Sequence, residues 1–282
     1  MNDSLRTVDG RSVLRMERRL AHPQEKVWRA ITEPAQLAEW FPFKVELDLQ
    51  LNTKITFIEH EVDAPSTHGV ITELDPPRVF AFSWEDDQLH WELRAEAGGC
   101  LLILTHSFDD RAGAASFASG WHKCIEAMDA MLAGRTTELP STMAELASLH
   151  EERVAEFGLA DGSAEETADG WLVRFERQLT QPIDAVWAML TGSAAPSPGE
   201  QPPAGCTTAG IPAGPITALD PPTALEYEGQ DGRIRWELRE GTGHGTRLVL
   251  THHGPPDHSA ALSAWKAHIE RLAARVATGA GR

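Results

Sequence analysis

The chain is poor in cysteine and in positive charge, and each shortage excludes a class of protein. It has three cysteines in 282 residues, Cys100, Cys124 and Cys206, and no C-x-x-C pair. Neither a disulfide framework nor a zinc knuckle is therefore expected. The formal net charge is -17, and nucleic-acid affinity depends on Lys and Arg that neutralise phosphates. We expect no nucleic-acid partner and, for the same reason, no binding to an anionic membrane surface.

Long hydrophobic runs are also missing. No stretch approaches the ~18 consecutive apolar residues of a membrane-spanning helix. The first residues, MNDSLRTVDGRSVLRMERR, contain no apolar core of the kind that a secretory signal needs. The sequence therefore predicts a cytoplasmic protein in a reducing compartment.

Motifs for catalysis, metals and cofactors are equally scarce. There is no G-x-S-x-G elbow, and Gly98-Gly99 joins two predicted strands instead of preceding a helix, so it does not match a phosphate loop. His252 and His253 are adjacent on a predicted strand, which directs them to opposite faces. We expect no metal, no cofactor and no catalytic residue.

The main signal is an internal repeat, which is best sought before any other feature. Five blocks return in the same order. They pair residues 16–28 with 175–187, 71–77 with 216–222, 91–94 with 236–239, 104–106 with 250–252, and Trp121/Ile125 with Trp265/Ile269. The sequence therefore predicts two tandem copies of one domain.

Each copy has the pattern of an α+β domain. Residues 12–20 resemble a strand, a short helix follows Pro23, and in the first copy a second short helix begins at Pro34. Several stretches then alternate with period two, as half-buried antiparallel strands do. A helix closes each copy, and its apolar residues step by four, three and four: Trp121, Ile125, Met128 and Leu132, then Trp265, Ile269, Leu272 and Val276. We predict two helix-grip domains, each a curved antiparallel sheet wrapped on a long C-terminal helix.

The second copy is shorter. The first has 38 residues between Thr32 and Ile71, whereas the second has 24 between Thr191 and Ile216, rich in Pro and Gly. Such residues do not form central strands or helix interiors. We predict that the second copy lacks the second helix and the first hairpin. Its exposed sheet edge should be covered by the first copy, the Pro-rich segment or a second chain.

Three segments follow from these patterns. Their predicted bounds are 12–134 for the complete domain, 135–170 for a helical and acidic linker, and 171–279 for the shortened domain.

An ordered set of residues resembles a known family. The set consists of 27–34, 37–41, 69–71, 74–77, Phe80, Trp84, 91–93, 104–106 and the helix around Trp121. It is similar to bacterial homologues of the activator of heat-shock-protein-90 ATPase, in the START-like (SRPBCC) helix-grip superfamily. The resemblance covers residues 12–134 well and 172–279 loosely. It implies a cavity between sheet and helix that often holds a hydrophobic ligand.

The candidate ligand site follows from that cavity. Aromatic residues dominate cores and also line ligand pockets, so filling of the core is the alternative interpretation. His68, His90, Glu92 and His122 are candidate polar groups, of which strand parity directs His90 and Glu92 towards solvent. The predicted ligand-binding residues are Trp40, Phe57, His68, Phe82, Trp84, Trp91 and Trp121.

The leading hypothesis is non-enzymatic binding of a small hydrophobic molecule in the first domain. The second domain would be a structural or interaction half, for a protein partner or a homodimer. Two alternatives stay open: a cyclase- or hydratase-like enzyme on a small apolar substrate, and a stress-related co-chaperone.

Overall fold

The chain forms two compact units, Met1–Ser141 and Thr142–Arg282. The computed structural model describes residues 2–59, 66–135, 143–168, 170–192, 195–229, 232–254 and 257–279. Over these residues, no helix combines the length and apolarity that crossing a membrane requires.

Over its described residues, the first unit contains eight strands and three α-helices. In chain order they are β1 (Asn2–Val8), β2 (Arg11–Leu20), α1 (Gln24–Thr32), α2 (Pro34–Leu37), β3 (Lys44–Leu47), β4 (Lys54–Ile58), β5 (Thr67–Asp75), β6 (Val79–Trp84), β7 (Asp87–Glu96), β8 (Gly99–Phe108) and α3 (Ala114–Leu132). The strands form one antiparallel sheet in the order β1-β2-β8-β7-β6-β5-β4-β3.

Helix α3 presents the predicted apolar stripe to the interior. Trp121, Ile125, Met128 and Leu132 are all buried, and Gly134, with φ 67°, follows the helix as a left-handed C-terminal glycine does. Because every fourth or third residue returns to the same helix face, one stripe covers the sheet. The helix-grip prediction is confirmed for this unit.

The second unit repeats this order with fewer strands. Its elements are α4 (Met143–Glu156), β9 (Ser163–Thr167), β10 (Gly170–Leu179), α5 (Ile183–Thr191), β11 (Ala213–Asp220), β12 (Ala224–Gly229), β13 (Gly232–Glu240), β14 (Thr246–His253) and α6 (His258–Ala277). The antiparallel sheet has the order β11-β12-β13-β14-β10-β9. On α6, Trp265, Ile269, Leu272 and Val276 are buried, as the stripe predicts.

The second unit has no counterpart of α2, β3 or β4 among its described residues. In their place the Pro-rich segment forms a 3-10 turn at Ala204–Cys206. Gly199 N donates to Ile216 O and Ile216 N donates to Glu200 O, each at 2.8 Å. These bonds partly cover the edge strand β11 with the Pro-rich segment, which is one of the three possibilities expected from the sequence.

The segment that follows helix α4 differs from the sequence-based expectation. Residues 161–169 were expected to be part of an acidic linker, yet β9 pairs with β10. Helix α4 also belongs to this unit: it packs against α6, and Glu151 Oε2 lies 2.5 Å from Arg177 Nη2. An edge strand needs only backbone pairing, so polar side chains do not prevent it.

A similar correction applies before β2, where β1 adds an edge strand outside the predicted start at residue 12. Its Asp3 forms two hydrogen bonds, of 2.5 and 2.9 Å, with the buried Arg18 guanidinium. The pairing leaves neither buried charge without a partner of opposite sign.

One hydrogen bond occurs in both units at equivalent positions. Trp121 Nε1 donates to His106 Nδ1 at 3.2 Å, and Trp265 Nε1 donates to His252 Nδ1 at 3.2 Å. Each bond ties the closing helix to the last strand of its sheet. The repeated Leu-Thr-His and Trp of the sequence are therefore explained by one buried contact that positions the helix.

Candidate functional site: an apolar cavity in the first unit

A small cavity lies between the sheet and the short helices of the first unit. Its volume is about 20 Å³, close to the space that one water molecule needs. Its lining consists of apolar side chains from α1, α2, the segment between α2 and β3, and strands β3, β4, β6 and β7. They are Ile31, Leu37, Phe41, Val45, Leu47, Ile55, Phe57, Phe80, Phe82 and Trp91.

The short elements α2 and β3 form the outer wall of this cavity. They contribute Leu37, Val45 and Leu47 to the lining. β3 has four residues and ends the sheet, so it pairs only with β4. The wall is therefore held by fewer backbone hydrogen bonds than the central strands, and local opening starts where such bonds are few.

The structure brings five of the seven predicted site residues to this cavity or its rim. Phe57, Phe82 and Trp91 line it. Trp40 and Trp121 flank Trp91 edge-to-face, with ring centroids 6.2 and 5.5 Å from it. These aromatic contacts fix the orientation of the Trp91 ring.

The other two predicted residues lie elsewhere. Trp84 is half-buried and is not part of the lining, although it stacks on the lining residue Phe57 with ring centroids 4.3 Å apart. His68 is exposed, because Gly69 and Ile71 take the inward positions of β5 and leave His68 on the opposite face. This placement corrects the expectation that His68 supplies a polar group to the cavity.

Three of the four indole N–H groups near the site have acceptors within the fold. Trp40 Nε1 donates to Ala30 O at 3.0 Å, Trp84 Nε1 to the Thr67 hydroxyl at 2.8 Å, and Trp121 Nε1 to His106. Buried polar groups are normally paired in this way. These three rings therefore serve the fold with their polar edges as well as their apolar faces.

Seven lining residues were not among the predicted site residues. They are Ile31, Leu37, Phe41, Val45, Leu47, Ile55 and Phe80. Their periodicity in the sequence marks them as inward-facing. The pattern alone could not separate a side chain that borders a cavity from one that fills the core.

A second, polar cleft opens between β2 and α3. It has a volume of about 470 Å³ and is lined by Arg18, Arg19, Leu20, His122, Ile125, Glu126, Asp129, Ala130 and Arg135. His122, a candidate polar group of the apolar cavity, belongs to this cleft instead, with its Nε2 3.1 Å from Glu126 Oε1. Burial raises the pKa of Glu126, but Lys123 and His122 outweigh it and hold that pKa below its ordinary value.

In the second unit, the corresponding interior is occupied by the chain itself. The carbonyl oxygen of Cys206 accepts hydrogen bonds from Tyr227 Oη at 2.7 Å and from Trp236 Nε1 at 3.0 Å. His268 Nε2 lies 2.8 Å from the carbonyl oxygen of Gly205. The Pro-rich segment thus fills the space between sheet and helix with its own backbone.

Both units therefore have the helix-grip architecture, an antiparallel sheet against a C-terminal helix. Residues 21–133 match the family described as Activator of Hsp90 ATPase homolog 1-like protein. The first unit is a homologue of that family. The match does not extend into the second unit.

Several solved structures resemble part of the chain. CalU16 from Micromonospora echinospora is 21% identical, with a TM-score of 0.44, and the alignment covers 56% of this chain and 94% of CalU16. The conserved protein of unknown function EF2215 from Enterococcus faecalis is 16% identical, with a TM-score of 0.47 and coverage of 55% and 90%. Matches this distant carry no inference about function. No curated protein sequence matches the chain.

Proposed function

We propose that the first unit binds a small apolar molecule in the cavity between its sheet and its short helices, and that the second unit is a structural or interaction half. The observation that carries this proposal is the lining, which consists of ten apolar side chains around unfilled space. Ligand sites are concave and mostly apolar, with few polar groups.

Binding requires the cavity to widen. A volume of about 20 Å³ is smaller than any organic ligand, so α2 and β3 must move outward when a ligand enters. These are the shortest elements of the wall, and β3 is the edge strand. Displacing them leaves the hydrogen bonds of the central strands intact.

The interior of the second unit supports the proposal that only the first unit binds a ligand. Its interior is occupied by the segment around Cys206, whose carbonyl group is fixed by Tyr227 and Trp236. A ligand would have to displace buried hydrogen bonds there, and leaving such groups unpaired is costly. Ligand binding is therefore assigned to the first unit alone.

A matched pair of leucine variants tests the proposal. Leu47 lines the cavity, whereas Leu51, four residues further on, is 53% exposed. Leu47→Trp should fill the site with a larger side chain. Because the apolar fluorescent probe N-phenyl-1-naphthylamine would then compete with the indole ring for the same space, its binding should weaken at least about tenfold. Leu51→Trp should bind the probe as the wild type does. Equal binding by both variants, or none by the wild type, would contradict the proposal.

The enzymatic alternative has less support at this site. Catalysis by acid and base requires titratable side chains that converge on the substrate, and the described lining of the cavity contains none. The co-chaperone alternative draws only on the family's description. A pull-down with the whole chain from a cell extract, using Leu47→Trp to separate cavity-dependent partners, would test it.

A further inference from the structure

The indole N–H of Trp91 is the exception among the site tryptophans. Trp91 is 2% exposed and lines the cavity. Among the described residues it makes edge-to-face ring contacts with Trp40 and Trp121, but its N–H has no hydrogen-bond acceptor. Ring contacts of this kind are much weaker partners for an N–H than an oxygen atom is. Trp91 Nε1 is not among the fully buried unpaired side-chain atoms of the described residues, so this N–H keeps some accessible surface on which a partner can bind.

The second unit contains the same tryptophan with its acceptor in place. Phe82 pairs with the residue two positions before Trp91, and Tyr227 pairs with the residue two positions before Trp236. Trp91 and Trp236 are therefore equivalent, and so are Phe82 and Tyr227. Trp236 donates to the carbonyl oxygen of Cys206 at 3.0 Å.

The surrounding ring geometry is also the same in both units. Trp236 contacts Trp265 edge-to-face with centroids 5.8 Å apart, as Trp91 contacts Trp121 at 5.5 Å. This contact does not use the N–H of Trp236, which reaches the carbonyl group while the contact persists. The second unit therefore indicates which kind of atom accepts the hydrogen bond of this indole N–H: a carbonyl oxygen held between the sheet and the closing helix.

A water molecule is a poor substitute in the first unit. A buried water usually makes about three hydrogen bonds, and the described lining of this cavity is otherwise carbon. Tyr227 has no polar counterpart, because Phe82 stands at its position. Among the described side chains of the lining, a water would find only the Trp91 N–H, which is fewer partners than a buried water usually has.

We infer that the ligand of the first unit is an apolar molecule with one carbonyl oxygen, and that this oxygen accepts a hydrogen bond from Trp91 Nε1. The inference rests on the proposed function and adds the chemical class of the ligand. The carbon skeleton packs against the lining, and the oxygen takes the place that the Cys206 carbonyl holds in the second unit.

The test compares two probes of the same shape. Cyclohexanone carries a carbonyl oxygen, and methylenecyclohexane has a CH₂ group in its place. Both are titrated into the ¹⁵N-labelled full chain while the indole resonances are recorded, with the Trp91 signal assigned by its loss in Trp91→Phe. One net hydrogen bond predicts roughly two- to tenfold tighter binding of the ketone, with a downfield shift of the Trp91 indole proton.

Two variants complete the design. Trp91→Phe keeps an aromatic ring but removes the donor, so the ketone should lose its advantage and bind no more tightly than methylenecyclohexane, because its oxygen is then left unpaired. Trp236→Phe makes the matched change in the second unit and should leave the ketone preference intact. The wild-type comparison is decisive even where a variant folds poorly.

The outcomes separate the two proposals. If neither probe binds the wild type, the apolar site itself is refuted. If both probes bind the wild type equally, the site stands and the carbonyl inference is overturned. A ketone preference that survives in Trp91→Phe and vanishes in Trp236→Phe would also overturn it, because the oxygen would then bind in the second unit.

Discussion

Replacing Glu151 by alanine should destabilise the second unit by about 3 kcal/mol. Glu151 lies on α4, 2.5 Å from Arg177, whose side chain is only 4% exposed. The change leaves a buried guanidinium without its carboxylate, which typically costs about 3–5 kcal/mol. The lower end applies because Glu151 itself is 29% exposed and water can partly replace it.

The assay is urea unfolding followed by the NMR signal of the Trp265 indole, which is fully buried in this unit. Glu152→Ala is the matched control, since Glu152 is the next residue on the same helix and is exposed. The double variant Glu151→Leu/Arg177→Met should recover most of the loss, because apolar replacement of a buried pair is often neutral. A cost below about 1 kcal/mol for Glu151→Ala, the value of a surface pair, would show that the buried Arg177 does not depend on Glu151.

The same pair makes the second unit sensitive to acid. Burial raises the pKa of Glu151, but His150 and Arg177 outweigh it and hold the pKa below its ordinary value of 4.5. A carboxyl group with a lowered pKa contributes stability above its unfolded pKa and loses it as the pH falls through the folded one. The stability difference between wild type and Glu151→Ala should therefore shrink below about pH 4.5.

Two further predictions concern packing and thiol chemistry. A Cβ at Gly162 would lie 2.4 Å from the Phe175 ring, so Gly162→Ala should cost about 1–3 kcal/mol in the same urea assay. Gly120→Ala lies on α3 of the first unit, where a Cβ meets nothing within 4 Å, so it should be neutral or stabilise that unit by up to about 1 kcal/mol when the Trp121 indole is followed. Burial raises the pKa of Cys206 to about 12, and the residue is itself buried, so at pH 8 iodoacetamide should alkylate it only in urea; rapid alkylation of Cys206 in the folded chain, detected by mass spectrometry, would contradict this.

The closing helices and the central strands were predictable because the periodic spacing of their apolar residues is visible within each segment. Trp121 and Ile125 recur on one helix face, and strand alternation marks residues such as Val45 and Phe57 as inward-facing. Burial of a periodic stripe is the dominant energetic term, so the pattern is strong. The lost hairpin of the second unit followed from proline and glycine alone.

The edge strands could not be predicted in the same way. β1 and β9 are held by backbone pairing with β2 and β10, and β9 buries little of its side-chain surface. An acidic sequence such as residues 163–167 therefore has no apolar alternation to detect. Pairing between strands is a property of the assembled sheet.

The polar details of the site were hidden for a related reason. Nothing in the sequence indicates that Trp236 donates to the Cys206 carbonyl oxygen while Trp91 finds no acceptor among the described residues. Such partners come from segments far apart in the chain. Only a comparison of the two folded units shows which tryptophan has an acceptor for its indole N–H.

Native mass spectrometry of the full chain purified from its own host would show whether the first unit holds a ligand. We expect one small apolar molecule bound per chain in the wild type and in Leu51→Trp, and none in Leu47→Trp. An adduct retained equally in both variants, or no adduct in any of the three proteins, would contradict a ligand site in the first unit.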